Sequence, residues 1–221
     1  MFDVDFNLSF NNFDPNDIQV DETINAVFAI DISPSISSYV NHLNHAFSDF
    51  ISTMQKSHVA DRLMVSVVTF NDKVAVQTGF QPILQLQPTV FKPSGGGTAL
   101  YDATLLALQN AVQYRQNLEA SGVNTKTLLF VITDGEDNSS KVTAQKVKTE
   151  LEGVLSKESN AFSFTSVLFG VGSAASFQKA QQEMGIQLLA QVGTSGDEIK
   201  KMIGFISQSI SKTANNMQVV F

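Results

Sequence analysis

Three oxygen-bearing side chains directly follow an apolar run near the start of the sequence. Asp31, Ser33 and Ser35 occupy alternate positions in the stretch IDISPSI, immediately after INAVFA. Asp, Ser and Pro are common in turns and at helix starts, which accounts for part of the pattern. The alternation also allows three oxygen atoms to come together, and small hard cations take oxygen ligands of this kind. The stretch is therefore a candidate cation site.

Two further segments carry oxygen ligands at the boundary of a predicted element. Thr98 follows glycines 95–97 in PSGGGTALYDA, where a loop enters a predicted helix, and these glycines permit a tight backbone bend. Asp134 follows the apolar run of KTLLFVITDG, just as Asp31 follows INAVFAI. Ligands of open parallel sheets bind beyond the carboxyl ends of the strands, so we expect Asp31 and Asp134 on the same rim.

Apolar strands that alternate with helices are the elements that must position these loops. Nearly continuous apolar runs predict strands covered on both faces, and apolar residues at helical spacing predict the helices between them. The strands are predicted at 23–31, 62–70, 126–135 and 162–172, with a short one at 186–192 and an edge strand or hairpin at 73–80 and 83–87. The helices are predicted at 36–57, from the glycine-rich loop to about 118, at 142–157 and at 197–213, with a short one before 186. This order predicts an α/β fold with a mostly parallel central sheet and helices on both faces.

The three motifs together resemble the metal-ion-dependent adhesion site of von Willebrand factor A-type domains. They read DISPS, GGGTALYDA and VITDGED. The DxSxS motif of that family matches Asp31, Ser33 and Ser35, its distant threonine matches Thr98, and its distant aspartate matches Asp134. The resemblance implies that these five side chains bind Mg²⁺, or Mn²⁺ or Ca²⁺, and that an acidic side chain of a partner protein completes the coordination. It also implies a Rossmann-like three-layer sandwich with one antiparallel edge strand.

The resemblance divides the chain into parts. It covers residues 23–213 as a von Willebrand factor A-like domain, preceded by an N-terminal β extension and linker at 1–22 and followed by an apolar tail at 214–221. Pro34 departs from the family pattern, which more often has a small or polar residue there. The implied type is a stand-alone intracellular prokaryotic or phage member, a type that often works with ATPases or with stress and defence complexes.

Asp102 is a candidate for a supporting role at the same site. It follows Thr98 by four residues, so both are expected on one side of the predicted helix. One interpretation is a hydrogen-bond acceptor that orients a metal ligand or a water molecule. The other is an acidic residue in the first turn that complements the helix dipole. The sequence leaves both open.

Composition excludes several classes of function. The chain has 221 residues and a net charge of −7, whereas nucleic-acid binders are more often basic, so we expect no nucleic-acid partner. It contains no cysteine, which excludes disulfides, zinc thiolates and cysteine catalysis. No apolar run approaches membrane-spanning length, and the start MFDVDFNLSF does not resemble a secretory signal. We therefore expect a cytoplasmic protein with no membrane partner.

Three functions compete on these observations. The first is a metal-dependent module that binds a partner protein. The second is a metal-dependent hydrolase, which is less favoured because Ser33 stands where phosphotransfer phosphatases have a second aspartate, and because Asp31 and Asp134 are both needed as ligands. The third is an assembly protein that self-associates through its terminal strands. Apolar residues alternate from Phe2 to Phe10, and the sequence alone leaves open whether that strand is buried or forms an interface.

Overall fold

A mostly parallel sheet forms the centre of the protein in the computed structural model, which describes residues 22–157, 163–173, 176–217 and 219. Its strands are β1 (Glu22–Asp31), β2 (Leu63–Phe70), β3 (Val74–Pro82), β4 (Asn124–Thr133), β5 (Phe164–Val171) and β6 (Leu188–Val192). Their order across the sheet is β3-β2-β1-β4-β5-β6, and only the edge strand β3 runs antiparallel to its neighbour among these described strands. The predicted sheet with one antiparallel edge strand is confirmed.

Helices cover both faces of this sheet, as predicted for a three-layer sandwich. They are α1 (Val40–Gln55), α2 (Leu100–Ala120), α3 (Ala144–Lys157), α4 (Phe177–Met184) and α5 (Gly196–Ala214). On one face Phe28 of β1 packs edge-on against Phe47 of α1, with ring centroids 5.3 Å apart, in the same core as the buried face of α5. On the other face Val27 shares a core with Leu106 of α2 and with residues of α3 and α4. Successive strand residues point to opposite faces, so β1 and its neighbours are apolar at nearly every position.

The connections around β1 and β4 create a crevice at the carboxyl ends of the strands. These two strands are neighbours at the centre of the sheet, and their parallel register runs to the pair Ile30 and Ile132. The chain leaves β1 toward α1 on one face and leaves β4 toward α3 on the other. Loops that diverge in this way open a ligand-binding cleft at the topological switch point of the sheet. Asp31, the last residue of β1, and Asp134, the first residue after β4, both lie at this crevice.

Two predicted elements differ from the structure at their boundaries. Residues 83–87 do not form the second half of a hairpin, because Ile83–Gln85 is a short 3-10 helix. The side-chain amide of Gln55 donates to the carbonyl of Ile83 at 3.0 Å and to that of Leu86 at 3.1 Å, so α1 supplies partners that a neighbouring strand would otherwise supply. The first helix is also divided, because a 3-10 helix at Pro34–Ser38 precedes α1.

Both predicted terminal extensions fall largely outside the described residues. The alternating stretch Phe2–Phe10 is among the residues that are not described, so its burial stays a prediction. In the predicted tail, Val219 is 7% exposed and belongs to the core under α1 and α5. None of the described helices combines the length and apolarity needed to cross a membrane.

Gly170 of β5 allows the first turn of α4 to pack directly on the sheet. A Cβ atom at this position would overlap the ring of Phe177, whose side chain is 1% exposed. We expect Gly170→Ala to lower the free energy of unfolding by about 1–3 kcal/mol, because the ring must move within a close-packed core. Urea denaturation of the purified variant measures this change.

Gly204→Ala in α5 is the matched control. Apart from the backbone of α5 itself, no atom of the described residues lies within 4 Å of a Cβ built at Gly204. This alanine is therefore expected to raise the free energy of unfolding by about 0.5–1 kcal/mol through helix propensity. Equal effects of the two substitutions would contradict the proposed packing role of Gly170.

Candidate metal centre

Asp31 ends the central strand β1 with a carboxylate that is held on both oxygens. Its side chain is 1% exposed. The backbone N–H of Ser33 donates to Oδ1 at 2.8 Å, and the hydroxyl of Thr133 donates to Oδ2 at 2.6 Å. Thr133 was not among the residues selected from sequence. The sequence feature that could have identified Thr133 is its position at the end of β4, directly before Asp134. Continuing the register of β1 and β4 by one residue places it beside Asp31.

The two serines connect this aspartate to the loop after β4. The hydroxyl of Ser35 donates to Asp134 Oδ1 at 2.7 Å, and the hydroxyl oxygens of Ser33 and Ser35 are 2.9 Å apart. Because the proton of Ser35 points to Asp134, Ser33 is the donor to Ser35. Pro34 starts the 3-10 helix that carries Ser35, so the unusual residue of the motif is compatible with the loop. The structure thus brings four of the five predicted ligands into one hydrogen-bonded chain.

Thr98, the fifth predicted ligand, is attached to the same loop after β4. Its N–H donates to the side-chain oxygen of Asn138 at 2.8 Å, and its carbonyl accepts the N–H groups of Asn138 at 3.0 Å and Ser139 at 3.2 Å. Its hydroxyl oxygen lies next to Gly135, where a Cβ atom would be 3.5 Å away. Before Thr98 the chain bends through Gly95, whose φ of 83° favours glycine. Asn138 was also missed in the sequence, where nothing distinguishes it from other polar loop residues.

Asp102 supports the loop after β4 through that loop's backbone. Its carboxylate accepts the N–H of Lys141 at 3.0 and 3.1 Å and the N–H of Val142 at 2.9 Å, and its own N–H donates to the hydroxyl of Ser140 at 3.0 Å. It lies in the first turn of α2 and is 7% exposed. The position suits the helix dipole, while the hydrogen bonds give Asp102 a further role that neither interpretation included. Asp102 fixes the loop after β4 relative to α2, the helix that follows Thr98.

Burial disfavours the ionised form of both carboxylates of the site, Asp31 and Asp134, relative to water. Desolvation raises the pKa of Asp31 above its ordinary value, although the hydrogen bonds from Thr133 and Ser33 oppose the rise. Desolvation also raises the pKa of Asp134, opposed mainly by the hydrogen bond from Ser35. Burial and the charges of both aspartates raise the pKa of the Tyr39 hydroxyl, so it stays neutral. No ion pair found among the described residues includes Asp31 or Asp134.

This donor set fits a divalent cation that prefers oxygen ligands. Two carboxylates and three hydroxyls come together at the carboxyl ends of β1 and β4. A cation there would offset the charges of the buried Asp31 and the half-buried Asp134. Within the described residues no group of three or more His, Cys, Asp and Glu could hold a metal ion, so a site at this place depends on the hydroxyls. The side chains of His42, His45 and His58 are exposed, on or just after α1.

Comparison with known proteins gives a family match over most of the chain. The sequence profile of the von Willebrand factor type A domain matches residues 25–218. No curated protein sequence matches the chain significantly. Residues 1–24 and 219–221 lie outside this match and receive no support from it.

Solved structures with the same fold come from several organisms. Proximal thread matrix protein 1 from the mussel byssus, solved with a zinc-occupied MIDAS motif, is 19% identical with a TM-score of 0.55, over 85% of this chain and 45% of that one. The open conformation of the pilus adhesin SpaC from Lactobacillus rhamnosus GG is 12% identical with a TM-score of 0.60, over 86% and 30%. A von Willebrand factor type A structure from Catenulispora acidiphila is 14% identical with a TM-score of 0.57, over 87% and 43%. This chain therefore spans less than half the length of each of these proteins, and the likeness shows the fold.

The role of Asp102 in holding the loop after β4 can be tested by amide hydrogen exchange. We expect Asp102→Ala to remove the acceptor of the partly buried N–H groups of Lys141 and Val142, which costs on the order of 1 kcal/mol and speeds exchange at those two amides. Asp197→Ala, in the first turn of α5, removes a comparable helix-dipole charge and serves as the control. Unchanged exchange at residues 141 and 142 in Asp102→Ala would restrict Asp102 to a dipole effect.

Proposed function

Because the chain belongs to the von Willebrand factor type A domain family, we propose that it is a protein-binding module that uses a divalent cation to coordinate an acidic residue of a partner protein. The observation that carries this proposal is the hydrogen-bonded chain from Asp31 through Ser33 and Ser35 to Asp134. It gathers oxygen ligands from separate loops around a buried carboxylate, that of Asp31, and a half-buried one, that of Asp134. Neither carboxylate has a cationic partner among the described ion pairs.

The residues that would hold the cation are Asp31, Ser33, Ser35, Thr98 and Asp134. The ion supplies an electrophilic centre that accepts a carboxylate oxygen from outside the protein. Three of the five ligands are neutral hydroxyls, so they orient the ion without cancelling its charge. Thr133 holds Asp31 from behind through a 2.6 Å hydrogen bond and keeps the carboxylate at the rim. Asp102 and Asn138 keep the loop after β4 beside Thr98.

Magnesium is the proposed cation, with Mn²⁺ or Ca²⁺ as the alternatives. Carboxylate and hydroxyl oxygens suit these hard cations, whereas zinc sites in proteins usually include histidine or cysteine. The mussel protein with a zinc-occupied MIDAS motif supports metal binding by this type of site, although its identity to this chain is 19%.

The identity of the partner stays a prediction. A protein that presents Asp or Glu, such as an ATPase or a component of a stress or defence complex, fits the predicted stand-alone prokaryotic or phage type, and so does a cytoplasmic location. We propose no catalytic role, because Asp31 and Asp134 would both be occupied as ligands and neither would be free as a general base. Self-association through the terminal strands stays an alternative prediction that involves residues outside the described part of the chain.

Metal binding is expected to depend on Asp31. At a Mg²⁺ concentration about 100 times the dissociation constant, a bound ion stabilises the folded protein by about 2.7 kcal/mol, and Asp31→Ala should abolish this gain. Thermal unfolding of each variant, with Mg²⁺ and with excess chelator, measures the metal-induced shift in Tm without knowledge of the partner.

Asp61→Ala is the control for this experiment. Asp61 is an exposed aspartate in the loop before β2, at the amino ends of the strands and therefore away from the site at their carboxyl ends. The Asp61→Ala variant should keep the full metal-induced shift of the wild type. A shift of wild-type size in Asp31→Ala, or no shift in the wild type, would contradict the proposed metal site.

Partner binding is expected to require both the ion and an acidic ligand. We expect immobilised peptides that contain Asp or Glu to retain the wild-type protein in Mg²⁺ and to release it in chelator, whereas the same peptides with Asn or Gln retain none. Thr98→Ala should weaken this retention several-fold, because Thr98 is proposed to contribute one neutral ligand. Retention that is equal for acidic and amide peptides, or that survives chelation, would rule out this mode of recognition.

A further inference from the structure

Four polar side chains lie inside the protein at the amino ends of the central strands, away from the candidate metal centre at their carboxyl ends. Thr23 and Asn25 belong to the first half of β1, and Thr125 and Thr127 to the first half of β4. In the parallel register Thr23 is the partner of Thr125, and Asn25 is the partner of Thr127. Each of the four residues is at most 5% exposed. We call these four residues the polar patch.

The polar patch faces the helix layer that contains α2. Val27 and Leu129 each follow a patch residue by two positions along the same strand, and both belong to the core shared with α2. Residues two apart in a strand point to the same face of the sheet. The patch is therefore a two-by-two group of polar side chains on the face of β1 and β4 that packs toward α2.

None of the polar side-chain atoms of the patch has a hydrogen-bond partner within the described part of the protein. These atoms are the hydroxyl oxygens of the three threonines and both the oxygen and the nitrogen of the Asn25 carboxamide. Ser66 of the neighbouring strand β2 differs, since its hydroxyl donates to the carbonyl of Thr78 at 3.0 Å. Buried polar groups without partners cost stability, and native proteins usually satisfy them with protein atoms or ordered water.

The chemistry of the patch selects a neutral ligand that both donates and accepts hydrogen bonds. All four side chains are uncharged, and hydroxyls and a carboxamide offer donors and acceptors together. Two charged residues, Glu22 and Lys126, adjoin the patch in sequence. Both point to the other face of the sheet, where the amino group of Lys126 pairs with Glu22 at 2.6 Å. Internal water molecules typically make about three hydrogen bonds to groups of this kind.

We propose that ordered water molecules lie on the α2 side of the polar patch and bridge the Asn25 carboxamide to the threonine hydroxyls, because these are the buried atoms that have no partner among the described residues. This site is separate from the proposed metal centre, because the patch lies at the amino ends of β1 and β4 and the metal ligands follow their carboxyl ends. It explains why an asparagine stands within the apolar run of β1.

High-resolution crystal structures of the wild type and of Asn25→Leu test this inference. We expect the wild type to show compact density peaks within hydrogen-bond distance of the Asn25 side chain and of at least one threonine hydroxyl of the patch. Asn25→Leu keeps a similar side-chain shape without donors or acceptors, so it should lose the peaks that contact residue 25. Thr127→Val provides a second variant with the same expectation at residue 127, should Asn25→Leu fail to fold.

Ser66→Ala is the matched control, because Ser66 lies on the same face and already has a protein partner. Its crystal structure should retain every patch peak of the wild type. Direct hydrogen bonds from Asn25 to Thr127 or Thr125 with no density between them would overturn the inference. Peaks that persist unchanged in both patch variants, or density that fits a larger molecule than water, would overturn it as well.

Discussion

Burial of the Asp31 carboxylate at the end of the central strand is the constraint on which the rest of the site depends. An ionised carboxylate that leaves water is costly unless hydrogen bonds and an opposite charge compensate for it. The protein supplies hydrogen bonds from Ser33 and Thr133 to the two oxygens, and these lower the pKa of Asp31 without cancelling the rise that desolvation causes. A divalent cation would provide the missing compensation, which is the physical basis of the proposed metal centre.

The loop after β4 links the three parts of the candidate site. It bonds to the first loop through Asp134 and Ser35, and to the glycine-rich loop through Asn138 and Thr98. Asp102, on the first turn of α2, holds the far end of the same loop by its backbone. Because strands β1 and β4 are adjacent at the switch point of the sheet, short loops suffice to bring these groups together. Displacement of this loop would therefore disturb all of the proposed ligands except Asp31 and Ser33.

The sequence allowed the prediction of those features that depend on local pattern and strand order. Apolar runs predicted the central strands, and an aspartate at the end of two such runs predicted two carboxylates on one rim, where β1 and β4 now place Asp31 and Asp134. Thr133 and Asn138 could not be selected in the same way, because their roles depend on hydrogen bonds between segments distant in sequence. The 3-10 helix at Ile83–Gln85 was missed for a similar reason, since its carbonyls bond to a side chain of α1. Local pattern thus predicts which strands form and where they end, while contacts across the fold decide how the loops are held.

A crystal structure with Mn²⁺, located by its anomalous scattering, would show whether the five side chains bind one cation. We expect one strong anomalous peak at the carboxyl ends of β1 and β4, within about 2.0–2.5 Å of oxygen atoms from the set Asp31, Ser33, Ser35, Thr98 and Asp134. Any of these residues farther away should reach the ion through a bound water molecule. A protein saturated with Mn²⁺ that shows no peak there, or its only peak elsewhere, would contradict the proposed metal centre.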